Sequence, residues 1–212
     1  MSICSQLHPV FNQLPHHHFP FDEKKIPLNG IYILFEKGEI AHNTNRIVRV
    51  GTHNGDGRLP SRLKSHFIKE NKDRSIFRKN IGRALLNKES DPFLEQWELD
   101  LTSREAKENH KNIVDFGKQK QIERQVTQCI QQNFWFVVFP IDKRKDRLFW
   151  ESRIISTVSR CNECRPSENW LGLHSPKDKI RESGLWLVNE LYKQPLSENE
   201  FNYLKDFMIQ SK

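Results

Sequence analysis

Glu151 is the residue whose type fits its position least. It lies three residues after Leu148 and three and four residues before Ile154 and Ile155, so its carboxylate shares the apolar stripe of a predicted helix. Burying a carboxylate costs free energy unless the group is paired or holds a metal ion. A divalent-cation site is therefore one interpretation, and a solvated glutamate in the first turn of the helix is the other.

Four further polar residues interrupt apolar runs or share a helix face. Tyr32 lies in the middle of a strand-like run, where a tyrosine is most often a core residue with a hydrogen-bonded hydroxyl. Arg49 interrupts a second such run, where its guanidinium needs an anion, a carboxylate or an exposed face of the sheet. Arg62 and His66 are four residues apart and share one face of a predicted helix. Taken singly, none of these residues identifies an active site.

The positive charge of the chain is concentrated in one segment. The chain has 34 lysines and arginines against 27 acidic residues, a net charge of +7, and residues 58–88 alone hold ten of the bases and two of the acids. Clustered Lys and Arg neutralise phosphates and release counterions, which is typical of a nucleic-acid-binding surface. A solvated helical face, the alternative, usually alternates the two signs of charge. The imbalance favours a polyanionic partner.

The strands and helices that would position these residues follow from the apolar spacing. Two strand-like runs, 30–35 and 46–50, flank a polar connection that contains glycine, and they predict a hairpin with a long loop. Leucines and a phenylalanine recur every four residues over 59–67 and predict a helix, whose first turn tolerates Pro60. Residues 76–87 predict another helix.

The remainder of the chain predicts a central strand between helical segments. Residues 133–141 are apolar throughout, as in a strand buried on both faces. Helical spacing is weak over 104–132 and returns at 148–158, and Ser197 to Glu200 forms a capping box that opens a last helix. The four prolines of residues 1–29, in contrast, predict an extended arm with little helix.

The cysteines and the hydropathy indicate a reducing compartment without a membrane. Cys4, Cys129, Cys161 and Cys164 are too few for a disulfide scaffold, so the cytoplasm is the simplest location. The Cys161–Cys164 pair has no second pair at zinc-site spacing, and His174 offers one further ligand at most, so two ordinary thiols are favoured. The longest apolar run is far shorter than the ~20 residues of a membrane-spanning helix, and the N-terminus lacks a signal-peptide pattern.

The order of these motifs resembles the GIY-YIG nuclease superfamily, in which two strands are followed by a helix with an arginine and, later, a helix with a glutamate. The matching segments are Gly30-Ile31-Tyr32, Val48-Arg49-Val50-Gly51, Arg62 and Glu151-Ser-Arg-Ile-Ile155. His66, one turn after Arg62, is similar to the restriction-endonuclease branch. Asn169 resembles an asparagine that follows the glutamate in that branch, with Asn162 as the rival position. Arg49 departs from the pattern, because the second motif ordinarily has a tyrosine there.

The resemblance implies hydrolysis of a phosphodiester with Mg²⁺, with Mn²⁺ as a substitute. Glu151 would hold the cation. Tyr32 would help to deprotonate the attacking water, assisted by Arg49, Arg62 or a neutral His66. Arg62 would also stabilise negative charge that grows on the phosphate.

Contacts to nucleic acid are expected from the basic segment and from the turn after the second strand. The expected residues are His53, Lys64, Lys69, Arg78, Lys79 and Arg83. Among them, Arg78, Lys79 and Arg83 are expected to contact the phosphates of the duplex.

The expected fold is α/β, with a small, mostly antiparallel three-stranded sheet flanked by helices. We expect an N-terminal arm over 1–29, a nuclease core over 30–160 with a helical insertion at about 68–132, and a C-terminal extension over 161–212 that packs on the core. All of these assignments follow from the resemblance together with the apolar spacing.

The expected function is a Mg²⁺-dependent endonuclease acting on double-stranded DNA. A restriction or defence role is favoured over repair, because no helix-hairpin-helix or zinc module is evident, and cutting at a palindrome would require a homodimer. The alternative is a catalytically silent DNA-binding protein on the same fold, which Arg49 motivates. A weaker alternative is a protein that binds or cleaves RNA, although no aromatic RNA-binding motif is present.

Overall fold

The computed structural model describes the backbone of residues 2–210 and the side chains of residues 2–208. One antiparallel sheet of four strands, in the order β1-β4-β2-β3, has helices on both faces. The strands are β1 (His17–His18), β2 (Gly30–Ala41), β3 (Thr44–Gly51) and β4 (Phe134–Pro140). The predicted α/β class is thus confirmed, but the sheet has four strands in this part of the chain and not three. The extra strand, β1, is only two residues long and pairs with β4, so no periodicity could reveal it.

Within the described residues, one α-helix precedes β1, five lie between β3 and β4, and three follow β4. In chain order they are α1 (Ile3–Asn12), α2 (Leu59–Phe67), α3 (Ile76–Lys88), α4 (Phe93–Glu98), α5 (Arg104–Asn109), α6 (Phe116–Asn133), α7 (Arg144–Ser159), α8 (Asp178–Ser183) and α9 (Glu198–Gln210). The predicted helix over 104–132 is therefore two helices. In the described residues, none of these helices combines the length and the apolarity that crossing a lipid bilayer would demand.

The N-terminal residues form a helix, so the expected lack of helix there is wrong. Ser2 accepts a hydrogen bond from the amide of Ser5 and caps α1. Leu7 and Phe11 are completely buried against the sheet. Pro9 lies inside α1 and removes one helical hydrogen bond, but burial of the large apolar side chains of α1 offsets that loss.

Strands β2 and β3 form a hairpin with a tight turn, and the predicted long loop is absent from it. His42 and Asn43 alone make the turn, with positive φ angles of 51° and 61°. The polar residues that suggested a loop belong to the strands instead. Glu39, for example, is buried and accepts a 2.9 Å hydrogen bond from Nε of Arg46. A register shift between Phe35 and Ile40 marks a bulge in β2.

Alternate residues of the sheet face two separate cores. Ile31 and Ile33 pack with buried residues of α1, α7 and α9, whereas Tyr32 and Leu34 pack with those of α2, α3 and α6. β4 lies between β1 and β2, which confirms the predicted central strand. Tyr32 therefore points away from α7, the helix that carries Glu151.

The last helix begins as predicted. The amide of Ser197 donates to Oε2 of Glu200 at 2.7 Å, and the amide of Glu200 donates to Oγ of Ser197 at 3.3 Å. This reciprocal pair is the capping box that opens α9.

Candidate active site

Tyr32 and His66 form a buried hydrogen-bonded pair. The Tyr32 hydroxyl lies 2.8 Å from Nε2 of His66, and Nδ1 of His66 lies 2.7 Å from Oγ of Ser75. Both ring side chains are completely buried. With its proton on Nδ1, the imidazole donates to Ser75 and leaves Nε2 to accept the tyrosine proton. The geometry therefore provides a route for a proton from β2 to α2.

The environment of His66 keeps its imidazole neutral. Burial lowers the pKa of His66 well below its usual value, and the positive charges of Arg62, Arg49 and Arg78 lower it further. A neutral imidazole at pH 7 is the form that can accept a proton.

Gly51 provides the space that the Tyr32 hydroxyl occupies. The two residues are paired across β2 and β3. A Cβ atom on Gly51 would lie 2.2 Å from the hydroxyl oxygen of Tyr32, which is closer than atoms approach. Any residue with a side chain at position 51, in the second motif, would therefore clash with Tyr32 of the first motif.

Arg49 lies on the same face of the sheet as Tyr32 and is almost fully buried. Its guanidinium donates to the carbonyl oxygen of Trp186 and lies 5.4 Å from the centre of the Phe77 ring. Its Nε has no hydrogen-bond partner among the described residues. Arg49 also lowers the pKa of Glu151 by its charge, so its guanidinium contributes positive potential to the site.

Glu151 is connected to both strand motifs through Thr52. The amide of Thr52, the residue after β3, donates to Oε1 of Glu151 at 3.0 Å, and the Thr52 hydroxyl donates to the carbonyl of Gly30 at 2.8 Å. Burial raises the pKa of the Glu151 carboxyl to about 6, although Arg49 and the Thr52 amide oppose the rise. Sequence reasoning missed Thr52, because its part is visible only once the strands are paired.

An open, polar cavity lies beside Glu151. Its volume is about 430 Å³, and its lining consists of Thr52, His53, Asn54, Arg58, Ser61, Arg62, Ser65, Leu148 and Glu151. The structure therefore brings Arg62 and Glu151 to one cavity, as the resemblance implies. Tyr32 and His66 are completely buried and are not among the described residues that line this cavity. Each is adjacent to its lining, since Tyr32 pairs with Gly51, the residue before Thr52, and His66 follows Ser65.

The cavity fits a hard divalent cation. Glu151 is the only carboxylate among the described residues that line it, and within that part of the chain no donor binds its second oxygen, Oε2. Mg²⁺ takes few protein carboxylates and keeps several waters, for which a cavity of this size and polarity has room. Glu151 is thus the residue that could hold the metal.

His53 holds the loop after β3. The amide of Gly30 donates to Nε2 of His53 at 3.3 Å, and Nδ1 of His53 donates to the carbonyl of Gly55 at 2.8 Å. Burial lowers the pKa of His53. Both ring nitrogens are occupied, so the expected contact of His53 with nucleic acid has no free nitrogen to make it.

Three of the expected phosphate contacts are turned inward. Arg78 is completely buried, and its guanidinium binds Glu123 with a shortest N–O distance of 2.6 Å. Arg83 binds both carboxylate oxygens of Glu98. Lys79 donates to the backbone carbonyl of Glu98 at 2.8 Å. The guanidinium groups of Arg78 and Arg83 are thus paired with carboxylates of the protein, an arrangement that disfavours the expected phosphate contacts.

The other expected residues are nearer the surface. Lys64, in α2, is half-buried and makes a 2.9 Å ion pair with Glu23, whereas Lys69 is exposed just after that helix. Asn169 is exposed and does not line the cavity within the described part of the chain, and its rival Asn162 lines a different depression near Cys161. Neither asparagine is brought to Glu151.

The expected contacts to nucleic acid omitted one base that lines the cavity and three at the start of the helix that carries Glu151. Arg58 is exposed at the start of α2 and lines the cavity. Lys143, Arg144 and Lys145 are exposed at the start of α7, two turns before Glu151. The signal was present, since a run of three bases precedes the motif helix, but it lies outside the segment that holds the net charge.

Comparison with known proteins gives one match. A family model described as GIY-YIG domain matches residues 16–211, a range that includes both strand motifs and the helix of Glu151. No curated protein matches the chain, and no solved structure matches it.

Proposed function

Because the chain belongs to the GIY-YIG family, we propose that it is a metal-dependent endonuclease that hydrolyses phosphodiester bonds in double-stranded DNA. The observation that carries the proposal is the convergence of Arg62 and Glu151 on one polar cavity, whose lining includes Ser65, the residue before His66 of the Tyr32–His66 pair. Nuclease activity is the chemistry of the family, and this site contains the functional groups that phosphodiester hydrolysis needs.

Glu151 is the proposed ligand for Mg²⁺, with Mn²⁺ as a substitute. When bound there, the cation would polarise a phosphate oxygen and stabilise the leaving oxygen. The Thr52 amide holds one carboxylate oxygen in place, and no donor among the described residues binds the other.

The Tyr32–His66 pair is the proposed acceptor of the proton that the attacking water loses. A phenol with an ordinary pKa near 10 is a poor base at neutral pH, so it needs a partner that takes up its proton. Neutral His66, 2.8 Å from the hydroxyl, can do so, and Ser75 orients the ring. Because Tyr32 is completely buried, this role requires that its hydroxyl become accessible when DNA binds.

Arg62 and Arg58 are the proposed phosphate contacts in the cavity. Arg62 is half-buried and anchored by a 3.1 Å hydrogen bond to the carbonyl of Arg74, so its charge is held beside the cavity. Arg58 lies at the N-terminal end of α2, where the positive end of the helix dipole also favours an anion. Arg62 would stabilise the charge that grows on the phosphate during the reaction.

The experiment compares wild type with Tyr32→Phe on plasmid DNA, with Mg²⁺ and with EDTA. We expect wild type to give Mg²⁺-dependent fragments and Tyr32→Phe to be slower by about 10²–10⁴-fold, because only the proton-transferring hydroxyl is lost. Circular dichroism and DNA binding in EDTA serve as controls for the fold. Cleavage by Tyr32→Phe at the wild-type rate would show that the mechanism is wrong.

The alternative, a silent DNA-binding protein, is supported by two observations. Arg49 stands where the family motif has a tyrosine, and Tyr32 has no exposed surface. This alternative predicts a salt-sensitive shift of DNA on a gel without any product in millimolar Mg²⁺ or Mn²⁺. Intact DNA under those conditions would replace the nuclease proposal with the binding one.

The DNA surface is tested through salt dependence. Arg58→Ala should weaken binding and reduce the log–log salt slope by about one unit, because one phosphate contact is lost. Lys88→Ala is the matched control, since Lys88 is equally exposed but lines a different depression. If the salt slope of Arg58→Ala equals that of wild type, Arg58 does not contact the DNA phosphates.

A restriction or defence role and a homodimer belong to the same proposal. The four-residue spacing of Arg62 and His66, which is similar to the restriction branch, supports the first. The reduced state of all four cysteines is consistent with a cytoplasmic location. Discrete fragments from plasmid DNA would support site-specific cutting, and the mass of the protein–DNA complex would give the subunit number.

A further inference from the structure

A cluster of cysteine and histidine side chains lies at the end of the β2–β3 hairpin. Three separate segments supply it: the start of α1, the hairpin turn and the loop after α7. Its members are Cys4, His8, His42, Cys161 and Cys164. The ligand atoms of all but Cys161 lie within 4.8 Å of one another, and Sγ of Cys161 lies 3.4 Å from Nε2 of His42.

The distances within this Cys/His cluster match the edges of a metal tetrahedron. Sγ of Cys164 lies 3.4 Å from Sγ of Cys4, 3.2 Å from Nε2 of His42 and 3.8 Å from Nε2 of His8. Zn–S bonds of about 2.3 Å and Zn–N bonds of about 2.0 Å give tetrahedral edges of roughly 3.3–3.8 Å. The sulfur atoms of Cys4 and Cys164 are too far apart for a disulfide bond, which is about 2.05 Å long.

Both histidines are oriented as metal ligands are. Nδ1 of His8 donates to the carbonyl of Cys4 at 3.0 Å, and Nδ1 of His42 lies 3.2 Å from a carboxylate oxygen of Glu163. Each contact directs the opposite nitrogen, Nε2, towards the sulfur atoms. A histidine that ligates a metal typically has such a carbonyl or carboxylate on its other nitrogen.

The two cysteines at the centre of the cluster, Cys4 and Cys164, are almost fully buried. A thiolate is the form of cysteine that binds metal ions. Without a cation, a buried thiolate would be costly.

We propose that the cluster binds one Zn²⁺ tetrahedrally through Cys4, His42 and Cys164, with Cys161 or His8 as the fourth ligand. Thiolate and imidazole together select Zn²⁺ over the hard cation proposed at Glu151. A four-ligand site without an open position is structural. The site is also remote from the cavity, because His42 lies ten residues along the hairpin from Tyr32, roughly 30 Å in an extended strand.

The sequence favoured two ordinary thiols at Cys161 and Cys164 because the partners are distant in the chain. His42 precedes Cys161 by 119 residues, and Cys4 precedes Cys164 by 160 residues. His174, the partner that the sequence offered, instead accepts a hydrogen bond from Asn87 through its carbonyl. Zn²⁺ would join α1, the hairpin turn and the loop after α7.

The first experiment measures the zinc content of the purified full chain by mass spectrometry of the metal. We expect about one Zn²⁺ per chain in wild type and in Cys129→Ser, a matched control because Cys129 lies outside the cluster. Cys164→Ser and His42→Asn should each lower the content at least tenfold. Asparagine tolerates the positive φ of residue 42, so the turn is preserved.

The second experiment identifies the fourth ligand and guards against misfolding. One of the two variants Cys161→Ser and His8→Asn should lose zinc, and the other should keep it. If both variants keep zinc, the site does not have four protein ligands. Co²⁺ added to the apoprotein should give the visible bands of tetrahedral coordination and a thiolate charge-transfer band, which Cys164→Ser should lack while its circular dichroism is kept. Zinc-free wild-type protein with two of its four thiols oxidised would overturn the proposal in favour of a Cys4–Cys164 disulfide.

Discussion

Glu151 illustrates how one carboxyl can be half-buried and still available. One of its oxygens accepts a hydrogen bond from the Thr52 amide, and the residue lines a polar cavity. Burial raises its pKa to about 6, so at neutral pH it is ionised without a close cationic partner among the described side chains. Such a carboxylate gains most from a divalent cation, because the cation replaces the hydration that burial removed.

This pKa makes the proposed cleavage sensitive to mild acid. Below pH 6 the carboxyl is protonated and cannot bind a cation, so at subsaturating Mg²⁺ the rate should fall about tenfold per pH unit. Saturating Mg²⁺ should move the midpoint to lower pH, because metal and proton compete for one site. Initial rates between pH 5 and 8 at two Mg²⁺ concentrations test this. A cleavage rate that is constant down to pH 5 would show that Glu151 does not bind the metal.

At the scale of strands and helices, the glycines of the two motifs are steric requirements. Gly51 faces the Tyr32 hydroxyl across the hairpin. A Cβ atom on Gly30 would lie 2.3 Å from the carbonyl oxygen of Phe139 in β4. The pairing of β2 with β3 and with β4 thus depends on glycine at positions 51 and 30.

Gly51→Ala should destabilise the protein by about 1–3 kcal/mol, because the added Cβ overlaps the Tyr32 hydroxyl in a packed core. Gly117→Ala in α6 is the control, since the only atom near its added Cβ is a side-chain oxygen of Asp115, at 3.2 Å. Urea unfolding should show a lower midpoint for Gly51→Ala alone. Equal midpoints would mean that the hairpin adjusts without cost.

Local patterns predicted the elements that carry the motifs and missed those fixed by distant contacts. The apolar run of β4 and the Ser197–Glu200 capping box depend on neighbouring residues, and both predictions are confirmed. The helix at Ile3–Asn12 was missed because its stability comes from packing on strands and helices far along the chain. Likewise the turn at His42 and Asn43 has no glycine, so its polar flanks suggested a loop.

Across the whole molecule, the basic segment has two different roles. Its inward-facing members bind carboxylates from other helices, such as Glu123 in α6 and Glu98 in α4. Its exposed members include Arg58, Lys69, Arg74 and Lys88. Charge counting from the sequence could not separate the two groups, because Glu123 lies 45 residues from the Arg78 that it neutralises.

Arg78→Met should therefore affect stability and not DNA binding. It leaves Glu123 as an uncompensated buried charge, which costs about 3–5 kcal/mol. Lys88→Ala, on the surface, should change the free energy of unfolding by no more than about 0.5 kcal/mol. Denaturant unfolding and DNA titrations at several salt concentrations check both variants. If Arg78→Met were as stable as wild type but bound DNA with a shallower salt slope, the arginine would contact phosphate after all.

The packing of α1 has a consequence for how the protein is made. This helix leaves the ribosome before the sheet, yet it packs against α7 and α9 near the other end of the chain. Synthesis proceeds at about 5–20 residues per second, so the apolar face of α1 with Leu7 and Phe11 stays without these partners for roughly 10–40 s. This helix, synthesised before the sheet, is thus among the last elements to reach its native position, and during that interval a chaperone could bind its apolar face.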